Sequence, residues 1–154
     1  MAGATPRHVL LAGRVQSSLS AVKQCIAFGS DLRVEVVPDS YYTYPDVTLA
    51  CGKPVCSEDG LCLQSPKMIV EVSSPSTEGY DRGDKFAKAQ RIASLRYYVI
   101  VAQDRMHVDL FTRGDAGLWI MSTHDEPGDV RIPELGWTLN LADLYREIDS
   151  LTEQ

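Results

Sequence analysis

Three segments within residues 45–85 decide the fold: Pro45-Asp46, Ile69-Val-Glu71-Val-Ser73-Ser-Pro75-Ser-Thr77, and Tyr80-Asp81-Arg82-Gly83-Asp84-Lys85. The first opens an apolar run, the second is an apolar run that contains one carboxylate, and the third begins a helical pattern. An ionised carboxylate inside a buried strand costs several kcal/mol unless it is paired or binds a metal. Glu71 therefore requires either a structural or a functional partner.

Length and composition indicate one globular domain over residues 1–154. The chain is 44% hydrophobic and 23% charged, which is ordinary for such a domain. No apolar run approaches the roughly 20 residues of a membrane span, and no secretory leader pattern opens the chain. We therefore expect a cytoplasmic protein without a membrane segment. The net charge of −6 argues against a broad, non-specific surface for nucleic acid, but it leaves room for a local basic face.

The four cysteines are Cys25, Cys51, Cys56 and Cys62. They form no C-x-x-C pair and have no histidines at zinc-finger spacing. Cys25 and Cys51 lie in apolar runs, where a thiol behaves as a small hydrophobic group. We expect reduced cysteines rather than a metal site or a disulfide framework.

The central stretch predicts two strands, a loop and a helix. Residues 46–51 alternate, with Val47, Leu49 and Cys51 on one face and Asp46, Thr48 and Ala50 on the other. Residues 52–66 are typical of a loop. Residues 67–74 form the next strand, with Met68, Val70 and Val72 opposite Ile69, Glu71 and Ser73. A helix follows from about Asp81 or Asp84 to Ser94, and its buried stripe is Phe86, Ala89, Ile92 and Ala93.

The flanking sequence adds a helix before this stretch and several strands after it. Thr5-Pro6 predicts the start of a helix, and Gly29 predicts its end. The apolar stripe of this helix is Leu11, Val15, Leu19, Val22 and Ile26. A strand over 32–36 precedes an aromatic turn at 41–45. Residues 97–102 are typical of a central strand, and 106–113 and 118–123 of an antiparallel meander. A strand near 130–132 and a helix from Leu141, capped by Asn140, close an α/β fold whose core is helix, three strands, helix, strand with a C-terminal antiparallel extension.

Asp46 and Glu71 converge on one point if their strands are neighbours. Two carboxylates at one sheet end suit Mg²⁺ or Mn²⁺, which take oxygen ligands and keep water or phosphate in the remaining positions. Such a metal activates water and neutralises charge on a phosphate. Lys85, in the first turn of the next helix, would supply an ammonium group to the same point.

Four ordered motifs resemble the bacterial Uma-two family of restriction-endonuclease-like proteins, a branch of the PD-(D/E)XK nuclease superfamily. They are Tyr44-Pro-Asp46-Val47, the segment 69–77, Tyr80-Asp-Arg-Gly-Asp-Lys85-Phe86, and Ser94-Leu-Arg-Tyr-Tyr98. The resemblance covers nearly the whole chain. It implies a restriction-endonuclease-like fold, magnesium, and phosphodiester hydrolysis in DNA. It assigns Asp46 and Glu71 as metal ligands, and Lys85 as the family's lysine displaced onto the helix.

The sequence departs from the family pattern at three places. Ser73 stands where the wider superfamily has its lysine, two residues after Glu71. Ala89 replaces a tyrosine that family members usually carry four residues after the lysine. Family members also reach the segment that begins at Met1 after an N-terminal helix and hairpin, so we expect this chain to lack that extension.

Each candidate residue also has a structural interpretation. Asp46 follows a proline, which is typical of a turn or cap residue. Glu71 could form a buried ion pair with Lys85 or an arginine. Lys85 would then be a solvated helix residue paired with Asp81. Asp81 and Asp84 are typical of a helix start. We assign no role to His107 or His124 and leave that of His8 open, while Trp119 and Trp137 are expected in the core.

Two hypotheses follow. The first is a magnesium-dependent endonuclease with Asp46, Glu71 and Lys85 as catalytic residues, and with Lys88 and Arg91 contacting DNA phosphates. The second is a degenerate nuclease fold that serves as a binding or assembly module; the acidic net charge and Ala89 favour it. Because the fold would expose a sheet edge, we also expect a homodimer.

Overall fold

The structure, a computed structural model, describes residues 4–151, and these form eleven strands and four α-helices. The strands are β1 (Cys25–Phe28), β2 (Arg33–Val37), β3 (Tyr41–Thr43), β4 (Val47–Cys51), β5 (Cys62–Leu63), β6 (Met68–Ser73), β7 (Tyr97–Ala102), β8 (Val108–Arg113), β9 (Trp119–His124), β10 (Asp129–Ile132) and β11 (Trp137–Asn140). The α-helices are α1 (Pro6–Leu19), α2 (Glu78–Tyr80), α3 (Phe86–Ala89) and α4 (Leu141–Leu144). A π-helical turn, Asp81–Lys85, joins α2 to α3, and 3-10 turns form at Pro133–Leu135 and Ile148–Ser150. The first three and last three residues of the predicted domain, including Met1, lie outside the described residues.

A six-stranded mixed sheet in the order β1-β4-β6-β7-β8-β9 positions the candidate site. Strands β6 and β7 are parallel and all other neighbours are antiparallel. A parallel pair requires a crossover connection, and the helical segment from α2 to α3 supplies it. Val47 of β4 stands opposite Val70 of β6, so the prediction that the strands bearing Asp46 and Glu71 are neighbours is confirmed.

Apolar layers cover both faces of this sheet. Successive side chains of its central strands point to opposite faces and pack into two separate cores. On one face, Leu11, Val15 and Leu19 of α1 pack with α4 and the β10–β11 hairpin. On the other face lie α3 and a second sheet in the order β3-β2-β5. All six residues of β6 and all six of β7 are buried, which accounts for their nearly continuous apolar sequence.

Helix α1 begins as predicted, with the Thr5 side chain accepting a hydrogen bond from the His8 amide and Pro6 in the first turn. It ends at Leu19, ten residues before the expected stop at Gly29. The Ser20 hydroxyl bonds to the Gln16 carbonyl at 2.9 Å, an alternative to helix continuation that serine readily offers. The chain then turns through Gln24, whose φ is 64°, into β1.

A disulfide joins Cys25 and Cys51, so the expectation that these cysteines are reduced is wrong. Cys25 falls within the first helix as predicted from the sequence, but it lies on β1. The antiparallel register of β1 on β4 places it directly opposite Cys51. Cys56 and Cys62 are free, the first exposed and the second buried.

Other boundaries differ where local sequence competed with packing. The aromatic segment Tyr41–Thr43 is strand β3 rather than a turn, because it pairs with β2. The strand predicted at 32–36 belongs to the second sheet, and β1 takes its place in the central sheet. Helix α3 ends at Ala89 rather than Ser94, and Ala93 is exposed. The short strands β5 and β11 were not predicted.

The meander β7-β8-β9 and the Asn140 cap of α4 are confirmed, the latter by a 2.9 Å bond from the Asp143 amide. Trp137 lies in the core as expected, whereas Trp119 is half-buried. None of the helices in residues 4–151 combines the length and apolar character that crossing a bilayer requires.

Candidate active site

Asp46 and Glu71 lie beside each other at one end of the central sheet. Asp46 immediately precedes β4 and is 9% exposed, and its Oδ2 accepts a 2.7 Å hydrogen bond from the Val72 amide of β6. Glu71, on β6, is 4% exposed. The bond to Val72 fixes the Asp46 carboxylate against the strand that carries Glu71. The structure therefore brings together the two carboxylates that the sequence singled out.

The π-helical turn adds Asp81 and Lys85 to the same point. Lys85 Nζ donates to Glu71 Oε2 at 2.8 Å and lies 3.5 Å from Asp81 Oδ1. Both ion pairs considered as structural interpretations are thus present. Asp81 is only 4% exposed, so it is part of the site and not simply a solvated helix-start residue.

His8 also reaches the site, from the first turn of α1. Its Nε2 lies 2.9 Å from Asp46 Oδ1, so Asp46 is held from both sides by His8 and Val72. Sequence spacing gave no signal for this contact because 38 residues separate the two. The capped helix start at Thr5 fixes where His8 lies, but only the packing of α1 on the sheet reveals its partner.

Burial raises the pKa of each of the three carboxyl groups. For Glu71 burial dominates and Asp46 adds to it, so that its pKa is about 8 despite the opposing effect of Lys85. Burial also raises the pKa of Asp46 and of Asp81 above their usual range, against the Val72 bond and against Lys85 respectively. Burial lowers the pKa of Lys85, but its contacts with the carboxylates, led by Glu71, raise it overall, so Lys85 is charged. Three acids thus share a pocket with one permanent cation.

These groups line an open cleft of about 400 Å³. Its wall is made of His8, Asp46, Glu71, Asp81 and Lys85, with small polar side chains and the rings of Tyr44 and Tyr80 around them. Lys88 and Arg91 are not among the described residues that line it. The Lys88 ammonium lies 4.3 Å from the centre of the Tyr41 ring, and Arg91 is exposed in the turn after α3.

The two departures within the motifs have visible consequences. The Ser73 hydroxyl is buried, 1% exposed, and finds no hydrogen-bond partner among the described residues, so no cation replaces the superfamily lysine on β6. Ala89 borders a void of only about 10 Å³ together with Glu71, Lys85 and Tyr98. A void of that size is about one water molecule.

A second polar cluster, Glu78, His107 and Asp109, has three donor atoms within 4.8 Å of one another, the donor set of a cation site. However, Arg82 donates to Asp109 and, at 3.1 Å, to Glu78, and Arg105 donates to Glu78 at 3.0 Å. Two guanidinium groups thus already neutralise the carboxylates, and a metal ion would be repelled by both. The sequence gave no role to His107, and here it lies 3.2 Å from Asp109 in a network that ties α2 to β8.

The Asp46–Glu71 site fits a divalent cation better. It offers two hard oxygen donors, Asp46 just before β4 and Glu71 on the neighbouring strand β6, in an open cleft that leaves room for water and substrate. Burial raises the pKa of all three carboxyl groups, because it disfavours their charged forms. A cation would favour the charged forms, as Lys85 already does for Glu71 and Asp81 in this structure.

Comparison with known proteins identifies the family of the chain. The profile of the Uma2 family, described as "Putative restriction endonuclease", matches residues 1–142. Two proteins of Synechocystis sp. are similar to the chain. Uncharacterized protein slr1290 is 31% identical over 122 residues, 79% of this chain and 64% of its own length. Uncharacterized protein sll1609 is 26% identical over 126 residues, 79% of this chain and 71% of its own length. The chain thus spans less than two thirds of slr1290.

A solved structure shares the fold. The crystal structure of a "putative nuclease belonging to DUF820" from Anabaena variabilis superposes with a TM-score of 0.75, at 17% sequence identity, over 94% of this chain and 83% of that chain. At that identity the match speaks for the fold alone, and it confirms the predicted α/β class. Taken with the family match, the cleft and its carboxylates lead to one conclusion: the chain belongs to the Uma2 family and has the fold of a restriction-endonuclease-like nuclease.

Proposed function

We propose that this protein is a metal-dependent nuclease that hydrolyses phosphodiester bonds in DNA. The observation that carries the proposal is the meeting of Glu71 and Asp81 at Lys85, with Asp46 lining the same open cleft. Structural ion pairs do not require a solvent cleft, and a core of this size gains little from burying three acids with one lysine. Perturbed carboxylates in a cleft are instead typical of functional sites.

Asp46 and Glu71 would hold Mg²⁺ or Mn²⁺. When bound, such an ion supplies a water of lowered pKa and neutralises charge on the phosphate. The chain's own residues prepare the site for it. The Val72 amide and His8 fix the two oxygens of Asp46, and β6 holds Glu71 at the same depth. Fixed ligands lose little freedom on binding, which favours affinity and geometry together.

Lys85 is the proposed electropositive catalytic group. Its Nζ is held at the cleft by Glu71 and Asp81, and it stays charged because of them. A fixed ammonium next to a scissile phosphate stabilises the negative charge that develops during attack by water. Lys85 would thus perform from the π-helical turn what a lysine at the position of Ser73 would perform from β6. Lys88 and Arg91 remain the proposed phosphate contacts outside the cleft.

We also propose that the protein is a homodimer. The central sheet ends at β1 and β9, and β9 carries the exposed apolar side chains of Ile120 and Met121, with Leu118 just before it. Unpaired edge strands with apolar side chains tend to pair with another strand. Two copies of β9 related by a twofold axis would satisfy both edges.

The alternative is a degenerate nuclease fold that acts as a binding or assembly module. The Glu71–Lys85 pair favours it, because the 2.8 Å contact satisfies both groups without a metal. The two functions differ in one consequence. In a binding module, replacing both Glu71 and Lys85 by methionine should raise the free energy of unfolding and leave the binding function intact. The reason is that apolar residues of similar volume often replace a buried ion pair without loss of stability.

The deciding experiment for the nuclease is cleavage of plasmid and single-stranded DNA in Mg²⁺ or Mn²⁺. We expect Asp46→Asn, Glu71→Gln and Lys85→Ala each to lower the rate by about 100-fold or more. Asp84→Asn is the matched control, because Asp84 is an exposed acid on the same helical turn. Cleavage that persists unchanged in all three variants would come from another nuclease in the sample and would contradict the proposal.

A further inference from the structure

Two exposed tyrosine rings line the same cleft as the acidic groups. Tyr44 is 58% exposed and stands two residues before Asp46, and Tyr80 is 48% exposed and stands one residue before Asp81. The rings come from different elements, the turn before β4 and helix α2. Each ring is therefore tied by the backbone to one carboxylate of the site.

The acidic groups lie at the bottom of this cleft. Asp46, Glu71 and Asp81 are only 9%, 4% and 4% exposed, so a phosphodiester must enter the cleft to reach them. A volume of about 400 Å³ is that of pockets that enclose one small organic ligand, and a nucleotide is such a ligand. A DNA duplex has a persistence length of about 150 base pairs, so turning one phosphate inward requires bending the duplex, which costs free energy. A single strand can turn one phosphate inward without that cost.

The charge of the cleft also disfavours a duplex. Among the described residues that line it, Lys85 is the permanent cation, against the three acids. Duplex affinity comes mainly from lysine and arginine contacts to many phosphates, and the whole chain carries a net charge of −6. Stacking of bases on aromatic rings gives affinity without such contacts. The two tyrosines are placed to supply it.

Lys85 connects the rings to the chemistry. Its Nζ lies 6.0 Å from the centre of the Tyr80 ring as well as 2.8 Å from Glu71. A base stacked on Tyr80 would hold its own phosphate close to the lysine and the carboxylates. The rings would thus position the strand as well as bind it.

We infer that the DNA taken into the cleft is single-stranded, with its bases stacked on Tyr44 and Tyr80. This inference rests on the proposed nuclease function and names the substrate class of the same site. It assigns the tyrosines as binding residues, whereas hydrolysis belongs to Asp46, Glu71 and Lys85.

The test measures binding separately from cleavage, in EDTA, by fluorescence anisotropy. The probes are a labelled oligothymidylate, its duplex with oligoadenylate, and an abasic strand of the same length and charge. The proteins are the wild type, Tyr44→Leu, Tyr80→Leu, the corresponding phenylalanine variants, and Tyr42→Leu. Tyr42 is a matched control, since it is 37% exposed but lies outside the cleft.

We expect the wild type to prefer the oligothymidylate to both other probes. Each leucine variant should bind it about 5-fold to 150-fold more weakly, the effect of losing one stacked base, while both phenylalanine variants and Tyr42→Leu bind like the wild type. Lys85, Lys88 and Arg91 are the proposed phosphate contacts, so log affinity should fall against log salt with a slope no steeper than about −2. Equal binding of the abasic strand, preference for the duplex, or leucine variants that bind like the wild type would each overturn the inference.

Cleavage assays on the same samples in Mg²⁺ separate the two proposals. Tyrosine-dependent binding of the single strand without any cleavage supports the inference about the strand and overturns the proposed hydrolysis. Glu71-dependent cleavage of duplex plasmid that is unchanged in both leucine variants supports the hydrolysis and overturns the inference.

Discussion

Glu71 is the residue whose environment differs most from that of an ordinary surface acid. It lies inside a fully buried strand, 4% exposed, and its one close cation is Lys85 among the described residues. A single lysine does not fully offset the cost of burying this charge, since the pKa of Glu71 remains about 8. Its neighbours on β6 gain stability from burial, whereas Glu71 loses it. That cost is understandable if the residue serves a metal.

Replacing Glu71 should change how stability depends on pH. Its pKa is raised from a usual 4.5 to about 8, so between these values the folded chain holds a proton that the unfolded chain releases. The contribution of Glu71 to the free energy of unfolding is therefore fully present below about pH 4.5 and is lost as the pH rises toward 8. Urea unfolding of the metal-free wild type should show this loss relative to Glu71→Gln. A difference between the two proteins that is constant over this range would contradict the assignment.

His8 should act by positioning Asp46. Its Nε2 lies 2.9 Å from Asp46 Oδ1, so the imidazole orients this carboxylate. Loss of such an outer contact typically costs 10-fold to 100-fold in metal affinity or activity. We expect His8→Ala to weaken Mg²⁺ binding by about that factor, measured by calorimetry, with little change in the melting temperature. His124→Ala, a half-buried histidine on β9, is the control, and equal metal affinity in both variants would exclude the positioning role.

At the scale of elements, the π-helical turn Asp81–Lys85 is the connection that creates the site. It lies between α2 and α3 in the crossover from β6 to β7, and it directs both Asp81 and Lys85 toward Glu71. Such turns within helices are frequent at functional sites. The π geometry was not visible in the sequence, because its spacing of charged residues is equally typical of an ordinary helix.

The pairing of β1 with β4 makes a second prediction at this scale. The Cys25–Cys51 disulfide closes a loop with a sequence separation of 26, for which the chain-entropy effect is about 3.5 kcal/mol. We expect dithiothreitol to lower the free energy of unfolding by about that amount in urea titrations. The Cys25→Ala, Cys51→Ala double variant should be equally stable with and without reductant. A wild type that is insensitive to the reductant would mean that the two thiols are not bonded in solution.

The sequence predicted those elements whose pattern and packing agree. Helix α1 starts at its cap, and β6 and β7 follow their apolar runs, because burial on both faces leaves no other solution. Prediction from the sequence failed where pairing between distant strands decided the secondary structure. Ile26 continues the apolar stripe of the predicted first helix, yet it lies on β1, next to Cys25, because β4 offers an edge to pair with. The same limit applies to the site: Asp46 and Glu71 were predicted from neighbouring strands, whereas the contact of His8 depends on packing between distant segments.

At the scale of the whole molecule, the central sheet ends in two edge strands, β1 and β9. The β1 edge is short and linked by the disulfide, whereas β9 is six residues long and presents Ile120 at 67% exposure. An edge strand with exposed apolar side chains tends to pair with a strand of another chain. The proposed dimer therefore uses β9 and leaves the cleft open.

Sedimentation equilibrium tests this assembly. The wild type should have twice the chain mass of 17.0 kDa, and Ile120→Lys should shift it to the monomer, because two facing lysines repel across a paired edge. Ile26→Lys, at a 47% exposed position on the opposite edge, should remain dimeric. A wild type that is monomeric at all concentrations, or an Ile26→Lys monomer beside an Ile120→Lys dimer, would contradict the β9 interface.

The central claim, that the buried carboxylates form a metal site, is tested most directly by isothermal titration of Mg²⁺ and Mn²⁺. We predict binding by the wild type, by Asp84→Asn and by His107→Ala, and its loss in Asp46→Asn and Glu71→Gln, since hard cations need these oxygen ligands. His107→Ala distinguishes this site from the Glu78, His107 and Asp109 cluster. Folded wild type that takes up no metal, or binding that survives in Glu71→Gln and disappears in His107→Ala, would contradict the account.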